Sequence, residues 1–144
     1  MNRLTQSTKS IKEKQIKRNW HLIDVSGKVL GRVVPQIVKF VQGKNKPDYV
    51  QNLDMGDHVV VINASKVVVT GKKPLSKEYT SYSGYPGGLK KINFADLLKK
   101  DSREIIKRAV SGMLPKNKFR SQRLNRVQVF PNSDHSFKDK FINK

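Results

Sequence analysis

The sequence predicts an α/β domain, and three observations carry the prediction. Short β-branched runs recur along the chain, apolar stripes at helical spacing separate them, and the order is strand, helix, strand, strand, then helices. Neither an internal repeat nor a linker interrupts that order. At 144 residues the chain has the size of one domain, long enough to take about two-thirds of its unfolded surface out of water.

Residues 1–18 (MNRLTQSTKSIKEKQIKR) are polar, basic and aperiodic. They read as an N-terminal arm that orders only on a partner, leaving 19–144 as the domain. Residues 20–25 (WHLIDV) alternate and end at Ser26-Gly27, a first strand and its turn. Val34, Ile37, Val38 and Val41 then recur at helical spacing, and Gly43 suits the residue just past the helix end. Pro35 sits early in this pattern and fits a first turn better than an interior, which leaves the start of the helix open. Residues 58–63 (HVVVIN) and 66–70 (KVVVT) read as two strands; the first is apolar enough to be covered on both faces by helices. Residues 77–88 (KEYTSYSGYPGG) read as an irregular strand or long loop. Asn93 is a good N-cap for a segment carrying Phe94, Leu97 and Leu98. Ile105, Ile106, Ala109, Val110, Met113 and Leu114 form a stripe opposite Glu104, Lys107, Arg108 and Ser111, and Pro115 stops it. Residues 116–126 (KNKFRSQRLNR) contain no acid, 127–130 read as a last short strand, and the tail after Pro131 is polar.

Charge narrows the function. Thirty Lys and Arg stand against eleven Asp and Glu, a net charge of +19. A compact domain so charged repels itself unless a polyanion is near, and nucleic acid is the default polyanion. A membrane-surface protein would carry a basic amphipathic helix with Trp, Phe and Leu on one face, and none is present. No run approaches the ~18 apolar residues that span a bilayer. Residues 1–19 lack the apolar stretch of a secretory signal, although basic Ser/Thr-containing arms also occur in organellar transit peptides. With no cysteine there is no disulfide, thiolate metal site or thiol redox chemistry.

Enzyme signals are weak. The loop Ser26-Gly27-Lys28-Val29-Leu30-Gly31-Arg32 follows a strand and precedes a helix, but its glycines match neither phosphate-loop fingerprint. It is either a tight turn or a loop presenting Lys28 and Arg32 to RNA phosphates. Asp54-Met55-Gly56-Asp57-His58 has metal-ligand chemistry without the remaining ligands, so it reads as a turn that launches the next strand. His21, His58 and His135 lie far apart, and no nucleophile pairs with a base. The expectation is therefore no catalytic residue, metal, cofactor or small-molecule substrate.

The basic clusters sit in loops or at element ends, where a cation can reach a partner. They are Lys17 and Arg18 in the arm, Lys44 and Lys46, Lys72 and Lys73, Lys90 and Lys91, and the run Lys116, Lys118, Arg120, Arg123 and Arg126. In that last run, five cations without an acid would repel one another unless a counter-charge is supplied. Tyr79, Tyr82 and Tyr85 lie among Gly84, Gly87 and Gly88. Each tyrosine either packs in a strand or stacks on an unpaired base, and Tyr82 is the one assigned to RNA.

From residue 17, "KRNWHLIDVSGKVLGR" resembles the opening of the bacterial ribosomal protein L13 (uL13) family. "GKNKPDYVQNLDMGDHVVVINASKVVVTGKK", "YTSYSGYPGGLKK" and "RAVSGMLPKN" agree in order and spacing, so the resemblance spans roughly residues 15–135. It implies a three-layer α/β/α domain with a small, mainly parallel sheet. It further implies a non-enzymatic constituent of the large subunit that binds 23S-type rRNA and supports early assembly beside ribosomal proteins L3 and L20. The setting would be a bacterial cytoplasm, with an organelle as the alternative. In that family the Gly-Met-Leu-Pro-Lys segment and the residues after it face rRNA, which points to Lys116 and its neighbours. Two departures stand out. Asn117-Lys118-Phe119-Arg120-Ser121 replaces a glycine-rich turn, and residues 136–144 replace a Gln-Gln-Pro-like stretch. Two rivals remain: a free RNA-binding regulator using the same surface, and a nucleotide-binding enzyme, which lacks its phosphate fingerprint.

Overall fold

The computed structural model describes residues 11–142. The first ten residues of the expected arm lie outside that range, as do residues 143–144. Three strands, β1 (Trp20–Asp24), β2 (His58–Ile62) and β5 (Val127–Val129), form an all-parallel sheet in the order β1-β2-β5. Strands β3 (Glu78–Tyr82) and β4 (Leu89–Asn93) form a separate antiparallel hairpin. The helices are α1 (Leu30–Gln42), α2 (Lys73–Ser76), α3 (Phe94–Met113), α4 (Arg120–Asn125) and α5 (Asp139–Ile142).

A parallel sheet that grows in one direction through right-handed crossovers keeps its helices on one face. Helices α1 and α3 accordingly pack on the sheet and on each other. The strand period of two sends Ile23, Val59, Val61, Val127 and Val129 into that core. The α1 stripe Leu30, Val33, Val34, Ile37, Val38 and Val41 meets them, with Leu97, Ile105, Ile106 and Val110 of α3. The opposite face carries Trp20, Leu22, His58 and Val60, and the C-terminal segment forms the layer over it. Trp20 stacks on His58 at 4.4 Å and on Phe137 at 5.1 Å, and Phe141 meets its edge. The tail that reads as polar therefore anchors through aromatics.

Other expectations are sharpened or overturned. Helix α1 begins at Leu30, five residues before Pro35, which lies inside the helix. Gly43 does terminate it, at φ 81°. Residues 66–70 are no sheet strand: Ala64–Lys66 is a 3-10 turn, and Val68 makes one bridge to Val29. Both edges of β2 are occupied by β1 and β5, and the second β-branched run lies instead beside the segment that follows β1, the Gly27 N–H donating to the Lys66 carbonyl and the Val68 N–H to the Lys28 carbonyl. The glycine-rich segment 77–88 is the first arm and turn of the β3–β4 hairpin. The two helical segments join as α3 across a break at Asp101 (φ −154°, ψ 94°), whose carboxylate accepts the Arg103 N–H at 3.0 Å and so caps the second half.

Candidate nucleic-acid interface

Because β1, β2 and β5 are parallel, the residues just before each strand meet at one end of the sheet. Those residues are Arg18 and Asn19, the loop 54–57, and the stretch from Arg123 to Arg126. Glycine makes the junction possible. A Cβ on Gly56 would stand 1.8 Å from the Val41 carbonyl oxygen, and one on Gly43 would stand 2.6 Å from that of Met55. The loop therefore lies directly on the end of α1, where the Asp57 N–H donates to the Phe40 carbonyl.

Two buried carboxylates organise this end. Asp54 receives a two-pronged bond from Arg126 (Nη1 2.6 Å, Nη2 2.7 Å) and a third from Arg123 Nε at 3.2 Å. Asp57, fully buried, accepts Lys46 Nζ at 2.6 Å, the Asn19 N–H at 3.0 Å, and lies 3.0 Å from His21 Nε2. Burial pushes both carboxyls up, but the hydrogen bonds and charges of Arg126 and Arg123 outweigh it at Asp54, as those of Lys46 and His21 do at Asp57. Both are held below the ordinary carboxylate range. Burial, then the nearby Arg126 and Arg18 charges, holds the His58 imidazole below its usual value.

This geometry divides the expected site residues. Arg123 is 2 % exposed and Arg126 8 %. The run 116–126 is expected from its sequence to need an outside counter-charge, yet for these two residues Asp54 of the same chain supplies it. The folding reason is local: α4 sets Arg123 and Arg126 three residues apart on one side of the chain. Lys46 is likewise turned inward, also donating to the Lys17 and Met55 carbonyls. Part of the arm is thereby bound to the fold itself, with Arg18 donating to the Asp54 carbonyl at 3.3 Å. Lys17, Arg18, Lys44, Lys116 and Lys118 remain exposed around this end. Arg120 is half-buried, its Nη2 donating to the Ser111 carbonyl and hydroxyl at 2.8 and 2.7 Å.

Lys28, Arg32, Lys72 and Lys73 are exposed near the other end, after β1 and β2. They are gathered by the Leu30 N–H to Val68 carbonyl bond, and Lys73 lines one cleft with Gly31. Lys90, Lys91 and Tyr82 are exposed on the hairpin, with Lys91 3.4 Å from Glu78. The expected cations therefore form two groups and an outlying hairpin rather than one patch.

Sequence reading missed an open groove of about 720 Å³ between α3 and α4, lined by Lys107, Arg108, Ser111, Arg120, Asn125 and Gln128. Its signal was the polar stripe of α3, but nothing local shows that α4 lies alongside. Among the described residues no group of three His, Asp or Glu could hold a metal, and no helix is long and apolar enough to cross a membrane.

Comparison with known proteins gives the family. The family model described as ribosomal protein L13 matches residues 18–136. The large ribosomal subunit protein uL13 of Syntrophotalea carbinolica is 46% identical over 129 residues, covering 90% of this chain and 91% of that protein. That of Clostridioides difficile is 46% identical over 125 residues, 87% of each chain. The Thermotoga maritima protein is 45% identical over 130 residues, 90% of this chain and 87% of its own. With the matched region running from the arm through the sheet into the C-terminal segment, this chain belongs to the ribosomal protein L13 family.

Proposed function

We propose that this chain is a structural, non-enzymatic constituent of the large ribosomal subunit that binds its large, 23S-type rRNA and supports early assembly. The observation that supports it best is where the charge goes on folding. Among the described residues, only the cations of Lys46, Arg123 and Arg126 are drawn onto the two buried carboxylates, so almost the whole excess of +19 stays on the surface. A rigid sheet then holds cations at both of its ends, where they bridge phosphates of separate rRNA segments. Each neutralised phosphate releases condensed counterions, which drives binding. Lys17, Arg18, Lys28, Arg32, Lys44, Lys72, Lys73, Lys90, Lys91, Lys116, Lys118 and Arg120 are the proposed phosphate contacts. Lys46, Arg123 and Arg126 serve by holding the loops. Selectivity comes from folded RNA shape and 2′-hydroxyls rather than a base code. Adjacency to ribosomal proteins L3 and L20, and residence in bacterial cytoplasmic ribosomes, are part of the same proposal and rest on family resemblance.

The test is filter binding of the full chain to a large-subunit rRNA transcript across a salt series. Changing Lys116, Lys118 and Lys44 together to Ala should weaken binding and flatten the salt dependence by roughly one unit per lost contact. Unchanged affinity and slope would remove this end of the sheet from the interface. Arg123 and Arg126 are left intact because their loss would disturb the fold.

A further inference from the structure

The hairpin carries a feature that charge does not explain. Its cross-strand pairs are Tyr79 with Ile92, Ser81 with Lys90 and Tyr82 with Leu89. The strand period of two therefore splits it into faces. Tyr79 and Ile92 turn inward and pack on the core, and burial raises the Tyr79 hydroxyl against the opposing charge of Arg108. The outward face holds Thr80, Lys91, Tyr82 and Leu89, and the turn adds Tyr85. Tyr82 is 65 % exposed, Tyr85 75 % and Leu89 54 %. A two-stranded ribbon is marginal alone; here its inner face is anchored, so the outer one is presented stiffly. The tip is set as well. Gly84 and Gly87 hold positive φ, and the Gly88 N–H donates to the Tyr85 carbonyl at 2.9 Å. A Cβ at Gly84 or Gly87 would meet nothing within 4 Å, which leaves the tip backbone bare to a partner.

Exposed rings on a stiff support bind flat, π-faced groups at little entropic cost, and the charge around them selects the carrier. Lys91 is exposed on the same face as Tyr82, Lys90 is exposed on the other face of β4, and α2 with Lys72 and Lys73 packs against β4. The only acid on the hairpin, Glu78, is paired with Lys91. A basic rim around aromatic faces fits a polyanion with unstacked bases, and disfavours the basic surface of a protein like this one. We infer that the outward face and tip of this hairpin, through Tyr82 and Tyr85, stack unpaired RNA bases, and that this is a contact to single-stranded rather than helical RNA. The inference rests on the RNA-binding reading above and deepens it.

The experiment uses the full chain and its Tyr82→Ala, Tyr85→Ala and Tyr82→Phe variants, with circular dichroism checking that each stays folded. Each binds a large-subunit rRNA transcript in the presence of competing oligouridine or of an RNA duplex of equal length. Loss of one stacked ring should weaken binding roughly five- to a hundred-fold with the salt slope unchanged, because no charge is removed. Tyr82→Phe should bind like the parent, and oligouridine should close the gap between parent and Ala variants where duplex does not. If the Ala variants bind rRNA like the parent while the lysine variants lose affinity, the stacking inference fails and the RNA-binding reading stands. If the parent itself does not bind the transcript, that reading fails instead. Ala variants that bind RNA normally but are missing from purified large subunits would assign the hairpin to a protein neighbour and overturn the inference.

Discussion

Asp54 is one carboxylate between two guanidiniums, and its removal would leave both buried without a counter-charge. Breaking such a pair from one side costs about 3–5 kcal/mol, a large part of the 5–15 kcal/mol that typically holds a domain together. Asp54→Ala should therefore lower the urea midpoint sharply or prevent folding. A loss under about 1 kcal/mol would place this site in the range of an exposed pair. The same residues set an acid limit. Asp54 and Asp57 ionise more readily folded than unfolded, so their stabilisation is complete above the unfolded value of 3.8 and is lost as pH falls through the folded one. As pH drops, urea midpoints should fall slightly through about pH 6.5, because His58 takes its proton less readily folded than unfolded, and decline further below about pH 4 as the two carboxylates protonate. An Asp57→Asn variant that still folds should decline less steeply. In the sequence, the Asp-Met-Gly-Asp-His motif reads as a turn that launches a strand; it is an irregular loop running into β2. Its arginine partners lie 69 and 72 residues further on, and no local pattern reveals a pair at that separation.

Among the elements, periodicity identified β1, α1 and α3 because each answers to a core on one side, and the apolar runs of β2 and β5 marked strands buried among neighbours. Such local signals misread what depends on neighbours. Residues 66–70 have the composition of a strand, but they begin in a 3-10 turn and bridge only at Val68, to Val29 beyond the end of β1. The C-terminal segment has a polar average, yet Phe137 lies against Trp20. Trp20 is the chain's one tryptophan, so its fluorescence reports on that layer. Removing residues 131–142 with the end of the chain should shift Trp20 emission to the red and lower the melting temperature, because the ring then faces water. Unshifted emission would mean that stacking on His58 alone shields the ring.

At the scale of the molecule, the two groups of exposed cations lie toward opposite ends of a rigid sheet. Contacts that far apart should act independently. Changing Lys28, Arg32, Lys72 and Lys73 to Ala, and separately Lys44, Lys116 and Lys118, should each reduce the salt slope. The two losses of binding free energy should add to within about 0.5 kcal/mol. A silent group would restrict the RNA to one end. If ~6–10 phosphates are engaged in all, affinity should drop on the order of 10³–10⁵ between about 50 and 200 mM salt, taking the duplex DNA value as a guide.

The α/β class, the family, the sign and size of the charge, and the loops that carry it are all legible before folding is considered. Composition, period and motif are local or additive properties, and they survive in a linear string. Which cations stay exposed is settled by long-range packing. Arg123 and Lys118 look alike in an acid-free run, but α4 turns one onto Asp54 and leaves the other in water. Tyr79 and Tyr82 are separated in the same way, one packed on the core and the other exposed on the outward face of the hairpin. In both cases the deciding contact comes from residues distant along the chain, so it exists only once the chain has folded.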